Sequence, residues 1–285
     1  MIGDREFWRN SGLLNDKEKN VKKAYVVAIT NQKGGVGKTT TAVNLSACLA
    51  KKGQRVLLFD LDPQSNASSS LGSPSSESSL YNLLISDDNP EPDLLQDTDI
   101  KGLMVFPSSS DLAGAEVELA DVFDRIGRLQ RIINFFQNDF DFIIIDCPPS
   151  LGFLTLNALN ASDELLIPMQ AEYFALEGLA RLMKTIERIS SSNDFTKKPK
   201  IGGIILTMFD TRTNLSRQVS DEVKSHVSDL LYEVKIPRNI RLAEAPSHGM
   251  PVITYDPFSQ GAKAYFSLTE EFLVRLKNSK KERGE

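Results

Sequence analysis

Short apolar runs alternate with amphipathic stretches along almost the whole chain. Tyr25-Val-Val-Ala-Ile-Thr30 and Phe140-Asp-Phe-Ile-Ile-Ile-Asp146 are rich in β-branched residues and read as strands buried on both faces. Gln54–Asp60, Leu103–Pro107, Glu164–Pro168, Ile201–Phe209 and Leu231–Ile236 read as further strands. Helical spacing covers Thr41–Ala50, Leu80–Ile85, Phe174–Ser190, Asn214–Asp229 and Ser259–Lys277. From Gly114 to Asn138, the positions Leu119, Val122, Phe123, Ile126, Leu129, Ile132, Ile133 and Phe136 predict one long amphipathic helix. The alternation predicts an α/β fold, a mainly parallel sheet with helices on both faces. Ser65 to Ser79, with Gly72 and Pro74, reads as a flexible surface loop, and Asp87 to Asp99 as an acidic loop. The expected organisation is a mobile leader at 1–22, one domain at 23–278 and a polar tail at 279–285.

Composition sets the class. With 285 residues, 41% hydrophobic and 25% charged, the chain can bury a large core. No uninterrupted apolar stretch reaches the ~18 residues of a membrane span, and the first 23 residues are too polar for a secretory signal. Two cysteines, Cys48 and Cys147, suit a reduced cytoplasm and read as packing thiols. His226 and His248 carry no chemical role. A net charge of −5 argues by itself against nucleic acid as a partner.

The candidate chemistry begins between the first strand and the first helix, at Asn31-Gln-Lys-Gly-Gly-Val-Gly-Lys-Thr-Thr40. Strand, glycine turn and helix is the context of a phosphate-binding loop. Gly34, Gly35, Val36 and Gly37 let backbone amides approach an anion at a helix N-terminus. Lys38 would neutralise the β- and γ-phosphates, and the Thr39 hydroxyl would bind Mg2+. The usual motif has glycine where this chain has Gln32, and Lys33 is an extra lysine five residues before Lys38. Asp60 and Asp62 close the second strand, at the edge where open α/β sheets gather ligands. Asp146 ends the most apolar strand, and beside a phosphate loop it reads as a carboxylate holding Mg2+ through water.

The extra lysine resembles the deviant Walker A box of the ParA/MinD group of ATPases. Further blocks resemble the ParA/Soj partition ATPases: Val56–Gln64, Leu112–Leu119, Ile145–Gly152, Glu172–Gly178, Thr207–Leu215, Ile236–Gly249 and Tyr255-Asp-Pro257. The resemblance implies an ATP-bound sandwich dimer that coats double-stranded DNA without sequence preference. A centromere-bound ParB-type partner then triggers hydrolysis and release. It implies that Lys33 reaches the partner subunit's nucleotide, that Gly34 lies where subunits press together, and that Asp62 orients the attacking water, with Asp60 behind it. It further implies that Thr40 joins Lys38 and Thr39 in binding phosphate and Mg2+, that Pro237 and Asn239 contact adenine, that Arg212 and Arg241 contact DNA, and that the protein is cytoplasmic and nucleoid-associated.

Three relatives of the same loop are weighed against this. A membrane-cycling MinD-like ATPase needs a bulky amphipathic C-terminus, whereas this chain ends in polar Asn278–Glu285, so no stable membrane association is expected. An iron protein of nitrogenase type needs two cysteines at the dimer axis, and Cys48 and Cys147 are not so placed. A tyrosine autokinase needs a terminal tyrosine cluster. Charge distribution answers the objection of acidity. Lys197, Lys198, Lys200, Arg212, Arg217, Lys224, Lys235, Arg238 and Arg241 outnumber the acids between positions 197 and 241, and are expected to form a stripe that dimerisation doubles.

Overall fold

The apolar runs pair with one another as their burial on both faces requires. The computed structural model describes residues 23–73, 79–192 and 195–283. In chain order the elements begin with β1 (Tyr25–Ile29), α1 (Lys38–Lys51), β2 (Val56–Asp60), α2 (Asn66–Ser69), α3 (Ser79–Ile85), β3 (Gln96–Asp97) and β4 (Leu103–Phe106). They continue with α4 (Leu112–Glu118), α5 (Arg128–Phe136), β5 (Phe142–Asp146), α6 (Phe153–Ala161), β6 (Glu164–Gln170) and α7 (Ala175–Ser190). The last are β7 (Lys200–Thr207), α8 (Asn214–Val227), α9 (Ile240–Glu244), α10 (Val252–Tyr255) and α11 (Gln260–Arg283).

Seven strands form one sheet in the order β3-β4-β2-β5-β1-β6-β7, parallel except for the two-residue β3 at one edge. Side chains alternate between two cores. Val26 and Ala28 face one with α3 to α8, while Tyr25, Val27 and Ile29 face the other with α1, α10 and α11. Cys147 lies in the first core and Cys48 in the second, both buried. The leader at 1–22 lies outside the described residues, and α11 runs on through Arg283. Among the described residues no helix is long and apolar enough to cross a membrane.

Three expectations are corrected. The long helix of 114–138 is broken: α4 passes into a 3-10 turn at Leu119–Asp121, and α5 begins only at Arg128. Asn157 on α6 accepts from Leu129 N–H at 3.0 Å and donates to the Arg125 carbonyl at 2.7 Å, and Asn160 donates to the Ile126 carbonyl. These amides stitch a turn into a pattern whose apolar face reads as continuous. Leu231–Ile236 is not a regular strand. Leu231 bridges Ile204 of β7, Ile236 N–H reaches the Leu206 carbonyl and Pro237 bridges Phe209 just past the strand, but between them the Glu271 carboxylate takes the Glu233 and Val234 N–H groups at 3.0 Å each. The serine-rich stretch is built rather than loose at its start. α2 opens there, and Ser68, Ser70 and Ser73 are buried; residues 74–78 lie outside the described set.

Tyr232, within that irregular segment, is fully buried, its hydroxyl has no hydrogen-bond partner among the described residues, and its ring occupies the space a Cβ at Gly203 would need. Tyr232→Phe should therefore leave stability unchanged or raise it by up to about 1 kcal/mol. Gly203→Ala should lower it by about 1–3 kcal/mol through overpacking. Urea unfolding midpoints of the two variants test this.

Candidate functional site

Parallel register brings the candidate residues to one edge of the sheet. Asp60 and Asp146 are in register at the ends of β2 and β5, and Ile29 of β1 pairs with Asp146 from the other side. The loop that leaves β1 turns through Gly35 (φ +71) and Gly37 (φ +86), left-handed positions that strain any residue with a Cβ. Gly37 caps α1, no side chain caps the helix start, and its first turn holds no acid. That terminus offers amides and dipole to an anion.

Neighbouring strand ends brace the loop. Thr207 Oγ1 donates to the Val36 carbonyl at 2.7 Å and also lies 3.1 Å from the Met169 carbonyl. Gln170 Nε2 donates to the Gly35 carbonyl at 2.9 Å, and Asn31 ties the loop's entrance to the Pro168 carbonyl. With its carbonyls held outward, the loop keeps its amides for a ligand. Sequence reading missed these braces, whose only signal is a polar residue at the end of an apolar strand. Lys38 is buried, and its ammonium donates to the Lys33 carbonyl at 3.2 Å. Burial lowers its pKa, opposed by the charges of Asp146, Cys147 and Asp62.

The three aspartates have different surroundings. Asp60 is fully buried but accepts from Ser68 N–H at 2.8 Å, Ser68 Oγ at 2.7 Å and Asp62 N–H at 3.3 Å. Burial still pushes its pKa up to about 6. Asp62 is 8% exposed, and its Oδ1 accepts from Gln64 N–H at 3.0 Å. Asp146 is fully buried, and neither carboxylate oxygen completes a hydrogen bond among the described residues. Burial, then the charge of Asp60, raises its pKa well above the usual range, although Thr39 and Lys38 beside it favour the charged form. An orphaned carboxylate next to a threonine hydroxyl and an open helix N-terminus fits a divalent cation that brings its own phosphate oxygens.

The remaining candidates lie further out. Lys33 points away from its loop and pairs with Glu172. A Cβ added at Gly34 would meet nothing within 4 Å. Pro237 bridges Phe209 at the exit of β7, and Asn239 caps α9 by accepting from Arg241 N–H. Arg212 precedes α8 and makes a two-pronged pair with Asp210 at 2.9 and 2.7 Å, which holds the Asp210 carboxyl well below its usual range. Arg241 lies between Glu244 at 2.8 Å and Asp256 at 3.3 Å. The nine basic residues do not form one stripe. Lys197, Lys198 and Lys200 stand at the start of β7, whereas Arg212, Arg238 and Arg241 lie beyond its far end. An eight-residue strand separates the groups by about 26 Å.

The AAA domain family model matches residues 24–201. The chain is 51% identical over 248 residues to the sporulation initiation inhibitor protein Soj of Bacillus subtilis, covering 86% of this chain and 97% of that one. It is 47% identical over 252 residues to the chromosome partitioning protein ParA of Myxococcus xanthus, covering 88% of each. Cobyrinic acid a,c-diamide synthase from Mycobacterium smegmatis, solved with an ATP analog and magnesium, superposes with a TM-score of 0.76 at 35% identity, over 90% of this chain and 97% of that one.

The raised carboxyl pKa values fix a pH dependence. A folded-state pKa above the unfolded 3.8 means that the folded chain binds more protons between 3.8 and about 6. Stability of the ligand-free protein should therefore fall as pH rises through that window. Asp146→Asn should flatten the fall and stabilise the ligand-free protein by about 1–3 kcal/mol at neutral pH. Thermal unfolding against pH without nucleotide is the check.

Proposed function

The chain belongs to the ParA/Soj family of chromosome-partitioning ATPases, and from that premise we propose a Mg2+-dependent ATPase that moves DNA by switching between states. ATP drives formation of a homodimer that holds duplex DNA without reading its sequence, and a centromere-bound ParB-type protein stimulates hydrolysis and release. The observation that carries this reading is the orphaned Asp146 carboxylate beside Thr39 and the uncapped start of α1.

In this reading Lys38 exchanges the Lys33 carbonyl for the β- and γ-phosphates, and the amides from Gly34 to Thr40 surround them. Mg2+, held by Thr39 and through water by Asp146, would neutralise the charge that develops between those phosphates. Asp62 orients the attacking water, while Asp60, occupied by Ser68, fixes the segment that carries Asp62. Pro237 and Asn239 flank the base. Lys33, directed out of its own loop, acts on the nucleotide of a second subunit. Gly34 supports the same arrangement, since the space around it is open within one chain.

DNA contact falls to the Arg212 and Arg241 end of the molecule, whose charge doubles in a dimer. Nucleoid association follows from DNA binding, and the absence of stable membrane association is part of the proposal. External stimulation is expected because the site, among the described residues, supplies no arginine of its own near the phosphates, and one such charge adds ~10³–10⁵ in rate in related chemistry.

Lys38→Ala should lose ATP binding, whereas Gly34→Val should still bind ATP yet remain monomeric. Fluorescent-nucleotide titration with light scattering distinguishes them, and unchanged affinity in Lys38→Ala removes the loop assignment. Arg212→Ala and Arg241→Ala should each weaken ATP-dependent DNA binding equally on two unrelated duplexes. Each should make the salt dependence shallower, by about 1 in log–log slope for every phosphate it no longer neutralises, measured by biolayer interferometry.

A further inference from the structure

Lys33 is held by its own chain. Its ammonium pairs with the Glu172 carboxylate, two residues beyond the end of β6. Glu172 N–H donates to the Gln170 carbonyl at 3.0 Å, and the Gln170 side chain holds the Gly35 carbonyl at 2.9 Å. One short segment therefore grips the phosphate loop twice, at Gly35 and at Lys33. Directly after it come Tyr173 and Phe174, 78% and 71% exposed, with ring centroids 5.0 Å apart edge to face. Both rings line a cavity of ≈ 690 Å³ together with Lys33 and Glu172.

Paired rings left in water beside a restrained cation are the composition of an interface core awaiting its other half. The occupant follows from the charge. A denser anion competes with Glu172 for Lys33, and in the dimer reading that anion is the nucleotide of a second copy. Resting on that reading, we propose that Glu172 is an intramolecular counter-ion that keeps Lys33 from acting in the nucleotide-free monomer. A second copy of this chain covers Tyr173 and Phe174 as Lys33 transfers to its phosphates. Glu172 is thus a positioning residue that sets the threshold for dimerisation.

The pair is exposed, Lys33 by 59% and Glu172 by 48%, so its effect is limited. Such a pair shifts an equilibrium by up to about fivefold. A two-fold symmetric dimer breaks two of them, hence up to about 25-fold. Salt should erase the effect, since the Debye length falls to about 3 Å at 1 M.

The test is a light-scattering titration of the full chain with Mg2+ and a non-hydrolysable ATP analogue. Glu172→Gln should dimerise at about 2- to 25-fold lower protein concentration than wild type at low salt, with the gap closing at 1 M. Glu270→Gln, which changes net charge equally but breaks the pair with Lys52 away from this cavity, should match wild type. Glu172→Gln should add nothing when Lys33→Gln is already present. If wild type dimerises and Glu172→Gln does so equally or less readily, the counter-ion role is overturned while the dimer reading stands. If neither dimerises at saturating analogue, the dimer reading fails and this inference fails with it.

Discussion

Two fully buried carboxylates on adjacent strand ends, Asp60 and Asp146, impose the condition that the rest of the site answers. Each is costly to keep charged without donors or a cation nearby. Asp60 is answered inside the chain by Ser68 and the Asp62 amide, with Ser108 donating to Ser68 Oγ and to the Asp62 carbonyl. Asp146 completes no hydrogen bond among the described residues, and the buried Lys38 beside it is itself turned to a carbonyl. The folded chain thus carries an electrostatic deficit at one point, which a cation with phosphates is suited to remove. Binding energy and structural cost are located in the same few atoms.

That cost is tolerable because the surroundings are rigid. The strands on either side of Asp146 are buried along their length, and α1 packs its whole inner face on the sheet. Thr207 of β7, with Gln170 and the Pro168 carbonyl of β6, then holds the loop from two strand ends. A phosphate entering such a loop meets amides already aimed, and little ordering entropy remains to be lost on binding.

What could be read from the sequence was local. β-branched runs gave the strands, glycine spacing gave the loop, and Asp146 stood out because its apolar strand accompanies a phosphate loop carrying Lys38 and Thr39. What could not be read depended on distant side chains. The break before α5 is dictated by Asn157 and Asn160, the interruption at Glu233 and Val234 by Glu271, and the order around Ser68 by Asp60. Hydrophobic periodicity sees which face is buried, but not which amide a remote carboxylate or carboxamide will claim. The basic stripe failed for a related reason. Residues close in sequence on either side of β7 stand at opposite ends of a strand.

The Glu271 clasp reaches beyond the local shape of that segment. β7 is the last strand of the sheet, and an unprotected edge there would offer open backbone groups to any other extended chain. The chain instead lays Leu231–Pro237 along this edge, bonded to it at both ends, with the central amides occupied by a carboxylate from α11. At the opposite edge the sheet closes with a strand of two residues. Both edges of the sheet are thereby closed to lateral pairing with another extended chain.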